Sequence, residues 1–226
     1  MTSVASRTRS SRDGSVKLLI LGTRSFAPEV ADVASDIDGV EIEGFVENME
    51  REKSDQTIEG LPIHWIDDIG RYKDTHLAVC ALGTTHRSRF IEQALQAGMR
   101  FATIIHPSAR ISRNSTVAEG SVIFPGVIIA TRTTIGRHVI VNRGAMVGHH
   151  TTIGDFCSLM PGANIAGACE VGEGTYIGMG ALVLDHKTVG SHSVVAAGSV
   201  VTRDVPANVQ VMGSPARIAR MGIEGR

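Results

Sequence analysis

Residues 133–178 read TTIGRHVIVNRGAMVGHHTTIGDFCSLMPGANIAGACEVGEGTYIG. Every sixth position is aliphatic: Ile135, Val141, Val147, Ile153, Leu159, Ile165, Val171 and Ile177. Two residues before each stands a mostly small residue, among them Thr133, Ala145, Thr151, Cys157, Ala163, Cys169 and Thr175. Gly often follows the aliphatic residue, as in Ile153-Gly154 and Val171-Gly172. A period of six fits neither a helix nor an alternating strand. It fits a left-handed parallel β-helix, whose turns repeat the same inward side chain. The register runs without break or insertion from Ile111 to Val201. No single hexad can bury its apolar face, so stacked coils share one core. Cys157 and Cys169 fall at small inward positions and are expected to be core residues.

Ahead of the array the pattern differs. Val16–Leu21 (VKLLIL) is a short apolar run closed by Gly22, the mark of a buried strand. Pro28 suits the first turn of a following helix, with Thr23 or Ser25 as its cap. Val40–Val46 reads as a second strand, residues 47–60 as a charged loop and Trp65–Tyr72 as a short amphipathic helix. His76–Leu82 is a third strand, Arg87–Gly98 a helix ended by Gly98, and Phe101–Ile105 a last strand. Strands alternating with helices predict a small parallel sheet of Rossmann-like type. The fold class is therefore an α/β Rossmann-like domain, residues 16–105, followed by a left-handed β-helix, residues 106–205. Residues 1–15 are expected to be a disordered terminus and 206–226 a C-terminal tail.

Composition narrows the functional classes. The 226 residues carry 22 basic and 23 acidic side chains and a formal charge of −1. That balance supplies no general drive toward nucleic acid or anionic membrane. Residues 1–15 lack the apolar stretch of a secretory signal. No run approaches the ~20 apolar residues of a membrane span. Three cysteines without a CxxC pair fit a reducing cytoplasm.

The chain resembles the bacterial hexapeptide-repeat acyltransferases that carry a Rossmann-like N-terminal domain. Most similar are the nucleotide-sugar N-acetyltransferases of the bacillosamine and perosamine type and the sialic-acid O-acetyltransferases. The resemblance rests on LLILG at 18–22, Ile105-His106-Pro107-Ser108-Ala109, the array, Gly148-His149, and Gly213-Ser214-Pro215-Ala216-Arg217. It implies a homotrimer, acetyl-CoA as co-substrate, a nucleotide-sugar substrate and no metal. It implies N-acetylation of a nucleotide-linked amino sugar such as a 4-amino-4,6-dideoxy sugar; the alternative is O-acetylation of a sugar such as sialic acid, which shares every motif.

The resemblance also implies roles for residues. His149 takes the position of the general base, a task that suits an imidazole at neutral pH. With three hexads to a coil, residues about 18 apart stack on one face. His149 then lies beside Gly167, with Asp185 one coil further on. A glycine beside a histidine leaves a backbone N–H open toward a thioester oxygen. His150 departs from the family, which usually has Asp or Glu there to raise the basicity of the preceding histidine. A neutral imidazole cannot do so, and Asp155 is the nearest carboxylate in sequence to substitute. Asn142 matches a position that orients the imidazole or the sugar amine, though a turn asparagine reads equally well. For acetyl-CoA the resemblance points to Ser158, Gly167, Met179 and Ala197, and Arg217 or Arg220 can meet a CoA phosphate. For the nucleotide sugar it points to Gly22, Thr23, Arg24, Ser25 and Phe26 after the first strand, Glu47 and Asn48 after the second, and Gly83 after the third. The Thr-Arg-Ser-Phe turn replaces the usual Gly-rich, His-containing one. Arg24 can pair a phosphate, and Phe26 can pack on a base.

A zinc enzyme of the γ-class carbonic anhydrase kind needs three converging histidines. By the same stacking count His138 aligns with His192 three coils away and His150 with His186 two coils away, so no pair falls on adjacent coils.

Overall fold

The computed structural model describes residues 15–226. The disordered terminus expected for 1–15 thus lies, but for Ser15, outside the described residues. The chain divides into two compact units: one runs to Gly83 and adds Arg87–Pro107, the other comprises Thr84–His86 and Ser108–Arg226.

The first unit is built on β1 (Val16–Leu21), flanked by β2 (Val40–Glu47) and β5 (His76–Cys80), both parallel to it. Leu18–Leu21 are wholly buried, as a parallel strand covered on both faces should be. Two further strands, β3 (Thr57–Ile58) and β4 (Leu61–Trp65), precede β5, and β6 (Arg100–Phe101) follows it. The sheet order is β3-β4-β2-β1-β5-β6, parallel except for the antiparallel β3–β4 pair. Helix α1 (Phe26–Ser35) buries Ala27, Val30, Ala31, Val33 and Ala34. Helix α2 (Ser88–Gln96) buries Phe90, Ile91 and Ala94, and Gly98 follows it at φ +84.

Several local expectations change. Pro28 sits in the first turn of α1, but Ser25 is in the αR region and makes no capping bond. The Thr23 hydroxyl is spent on Glu47 instead. Residues 47–60 are not all loop: Arg51–Asp55 form a 3-10 helix and Thr57–Ile58 pair with Leu61–Pro62. The two-residue turn between them, Glu59-Gly60, has φ of 52 and 80, the left-handed pair that tight hairpins demand. The helix expected over Trp65–Tyr72 is a 3-10 helix, Ile66–Tyr72. Its buried residues are Ile66 and Ile69, three apart, which a 3-10 helix places on one face. The last strand is split into Arg100–Phe101 and Ile104–Ile105.

The second unit is a three-sided parallel β-helix whose sheets agree with the left-handed form. Its first sheet stacks Val122–Ile123, Ile140–Val141, Ser158–Leu159, Tyr176–Ile177 and Val194–Val195. The second stacks Arg110–Ile111, Ile128–Ile129, Met146–Val147, Asn164–Ile165, Leu182–Val183 and Val200–Val201. The third runs from Thr116–Val117 to Thr188–Val189. In each pair the second residue points inward, and Ile123, Val141, Leu159, Ile177 and Val195 are all at 0% exposure.

The small inward residues carry a second function. The hydroxyls of Ser121, Thr133, Thr151 and Thr175 and the thiols of Cys157 and Cys169 each donate to a carbonyl fifteen residues ahead. A larger side chain would not fit, and an apolar one would leave those carbonyls one bond poorer.

The outward rows differ. On the third sheet the row is Thr116, Thr134, Thr152, Glu170 and Thr188, polar and exposed. On the first it is buried from Val122 to Val194. On the second, Ile128, Met146 and Leu182 stand exposed at 44%, 39% and 40%. The expected tail is an antiparallel hairpin, Val209–Gly213 with Ala216–Met221, because Val209 and Val211 continue the first sheet and are buried.

Candidate active site

His149 lies in the corner between the second and third sheets, after Val147-Gly148. The coil spacing puts Gly167 directly against it, and Ala168 N–H donates to His149 O at 2.7 Å. A Cβ built on Gly167 would stand 2.6 Å from His149 Cε1 and 2.7 Å from Nε2. The imidazole therefore rests on the glycine Cα, a place only glycine leaves open. Gly148 N–H is used by Ile165 O. Gly167 N–H donates to no acceptor among the described residues, so it is the open donor of this corner.

His150 turns its ring toward His149. The two Nδ1 atoms are 3.0 Å apart and the rings nearly perpendicular, at 87°. Asp155 does not take the place of a family carboxylate. Its two oxygens are held by Arg137, through the backbone N–H at 2.7 Å and the guanidinium at 2.9 and 2.7 Å. Burial opposes ionisation of Asp155, but these bonds and the Arg137 charge outweigh it and hold its pKa below the ordinary value. Asp185 pairs with its neighbour His186 at 3.8 Å.

The other expected residues fall on the opposite edge of the second sheet. Asn142 is 2% exposed and its Oδ1 accepts from Arg143 N–H at 2.8 Å, the turn-capping use of asparagine. Met179 and Ala197 are exposed and stack on successive coils, joined by Gly198 N–H to Met179 O at 2.8 Å. The line continues into the hairpin, where Gly213 N–H meets Ser199 Oγ at 3.1 Å and Arg217 stands exposed. Ser158 does not join them: it is wholly buried, in register between Ile140 and Tyr176. No group of three His, Cys, Asp or Glu among the described residues is placed to hold a metal ion. None of their helices is long and apolar enough to cross a membrane.

In the first unit, the residues expected around a nucleotide do gather at the carboxyl edge of the sheet. Gly22 turns there at φ +126, with Ala81 O 3.2 Å from where a Cβ would stand. Gly83 faces Phe26 Cδ1, which a Cβ would meet at 3.9 Å. Glu47 is buried at 6% exposure. Its Oε2 accepts from the Thr23 hydroxyl, and its Oε1 from Asn48 and Met49 N–H at 2.9 and 2.8 Å. Burial raises its pKa, but these three bonds and the Lys53 ammonium at 3.8 Å bring it below the ordinary value. Glu47 is thus the buried anchor that shapes both loops. Lys53, Glu50 and Gln93 were not singled out by sequence. They bridge to Glu47, Arg24 and Asn48 across separations that no linear pattern reveals.

Three parallel sheets of stacked hexads, with a histidine cupped by glycine at a corner, define a hexapeptide-repeat transferase. The family model described as bacterial transferase hexapeptide (six repeats) matches residues 150–185. PerB from Caulobacter crescentus, solved in complex with CoA and GDP-perosamine, is 30% identical, with 90% of this chain and 97% of that one covered and a TM-score of 0.82. A histidine-substituted mutant of perosamine N-acetyltransferase from Caulobacter crescentus, in complex with the same two ligands, gives 28% identity, coverage of 90% and 97%, and a TM-score of 0.83. The acetyltransferase domain of PglB from Neisseria gonorrhoeae FA1090 gives 28%, coverage of 89% and 98%, and 0.82. A search of curated proteins by sequence finds no match. The chain belongs to the hexapeptide-repeat sugar acetyltransferases.

Proposed function

We propose that the chain transfers acetyl from acetyl-CoA to the amino group of a nucleotide-linked amino sugar, of the 4-amino-4,6-dideoxy class. The observation that carries this reading is the end-to-end match with PerB, solved with CoA and GDP-perosamine. The α/β unit is then a Rossmann-like domain for the nucleotide, with the turn at Gly22–Phe26, Asn48 and Gly83 around the ligand. Glu47 acts there through the loops it pins, since both its oxygens are already bonded.

His149 serves as general base. The amine nitrogen bonds to the thioester carbonyl carbon and gives its proton to His149 Nε2. The Gly167 N–H stabilises the oxyanion. The C–S bond then breaks, and the proton passes to the departing thiolate. Transfer is direct, without an acyl-enzyme: the nearby thiol, Cys169, is buried and donates to Leu184 O.

The working form is a homotrimer in the cytoplasm. Its support is the exposed apolar row Ile128, Met146 and Leu182, which lies between the His149 corner and the Met179–Ala197 corner. Packing that row on a second copy brings one chain's cofactor edge, with Asn142, Met179, Ala197 and Arg217, toward another chain's His149. A coupled thiol assay with acetyl-CoA and paired acceptors tests the reading. Amide formation on a 4-amino nucleotide sugar supports it; turnover confined to hydroxyl acceptors refutes it.

A further inference from the structure

One corner of the β-helix carries a chain of three side chains. His149 Nδ1 lies 3.0 Å from His150 Nδ1. Arg132 Nη1 lies 3.3 Å from His150 Nε2. Arg132 and His150 occupy the same position on successive coils, and each holds φ 56. His150 N–H donates to Thr131 O at 3.0 Å, which locks the two corners in register. No carboxylate pairs with Arg132 among the described residues.

The chemistry of these groups orders the protons. A guanidinium has donors only, so His150 must offer a lone pair at Nε2. A neutral imidazole has a single N–H, and that of His150 then sits on Nδ1. It donates to Nδ1 of His149, which must accept. The ring proton of His149 is left on Nε2, the nitrogen turned away from His150. A carboxylate at position 150 would impose the reverse: it accepts from Nδ1–H and leaves Nε2 as the lone pair that a base requires.

We propose that Arg132 is a positioning residue for the acetyl transfer: through His150 it biases His149 toward the tautomer with its proton on Nε2. It restrains the base rather than activating it. This rests on His149 as general base, the reading given above. The base-ready tautomer forms when Arg132 leaves His150. Each ring proton then moves to the other nitrogen by exchange with water, with no net gain or loss. His150 carries its proton on Nε2 and accepts from His149 Nδ1–H.

An acceptor in place of Arg132 should invert the chain. In Arg132→Glu the new carboxylate accepts from His150 Nε2–H, so His149 gains a bonded Nδ1–H and a free Nε2. The full chain labelled with 15N-histidine reports the tautomer through long-range proton–nitrogen correlations. Spectra are taken at a pH where both rings are neutral and assigned with His149→Gln and His150→Gln. The expected result is an Nε2–H His149 in the wild type and an Nδ1–H His149 in Arg132→Glu. With one exposed hydrogen bond reversed, kcat should rise about fivefold at unchanged melting temperature, and less in Arg132→Met. The same tautomer in both proteins, or a kcat that falls in Arg132→Glu, overturns the proposal. The spectra decide it even if the acetyl acceptor differs from the one proposed, because they need no turnover.

Discussion

Replacing Gly167 with Ala displaces the His149 ring while keeping the backbone N–H of residue 167. The added Cβ would stand 2.6 Å from Cε1 and 2.7 Å from Nε2, where ordinary contact needs about an ångström more. Gly167 does not hold a left-handed φ, so alanine suits its backbone. The atoms in the way belong to an exposed side chain, which moves more cheaply than a coil. The ring therefore shifts by about an ångström, a displacement that costs on the order of 10²-fold when it misplaces a catalytic group. Steady-state kinetics with acetyl-CoA and a 4-amino nucleotide sugar should show kcat down by about that factor. Melting should stay within about 0.5 kcal/mol of wild type, as for an exposed substitution. A variant that keeps kcat within about threefold refutes the placement of His149 over Gly167 as the working geometry. So does one that unfolds, because the clash would then be with the coil.

Gly148→Ala supplies the opposite case. Its Cβ would meet Ala166 C at 2.4 Å and Gly167 N at 2.5 Å, backbone that cannot swing away. A loss of about 1–3 kcal/mol is expected in urea unfolding. Leu159→Ala opens a cavity in the column between Val141 and Ile177, and should cost about 2–5 kcal/mol by the same assay. Acid stability gives a further check. Glu47 and Asp155 both have folded pKa values held below their ordinary 4.5 and 3.8. Their stabilisation is complete above those ordinary values and is lost as pH falls through the lowered folded ones. Glu47→Gln should therefore cost about 1–3 kcal/mol at pH 7 and progressively less as pH falls below 4.5, measured by urea titration at each pH.

The β-helix was legible because its core is one-dimensional. Each inward residue repeats after eighteen, so Leu159 declares its place without knowledge of any distant partner. The same periodicity put His149 beside Gly167. Side-chain bonds were less legible. The eighteen-residue count sets Arg137 beside Asp155, but it does not show that Arg137 occupies both carboxylate oxygens. Nor does the run around Glu47 show that Thr23, twenty-four residues earlier, seals it. The Glu59-Gly60 hairpin escaped because its turn lacks the Asn-Gly or Asp-Gly pair that marks the type. Ser158 and Asn142 look like open site residues in sequence, yet both are buried.

The central claim is that His149 takes the proton of a sugar amine as acetyl leaves CoA. Product analysis by mass spectrometry answers it, with acetyl-CoA and nucleotide-linked 4-amino-4,6-dideoxy sugars, GDP-perosamine first, using wild type and His149→Asn. The account predicts a sugar amide from the wild type and a kcat about 10²–10⁴-fold lower in the variant, at similar KM. Acetyl found only on hydroxyl acceptors, or undiminished turnover by His149→Asn, would contradict it.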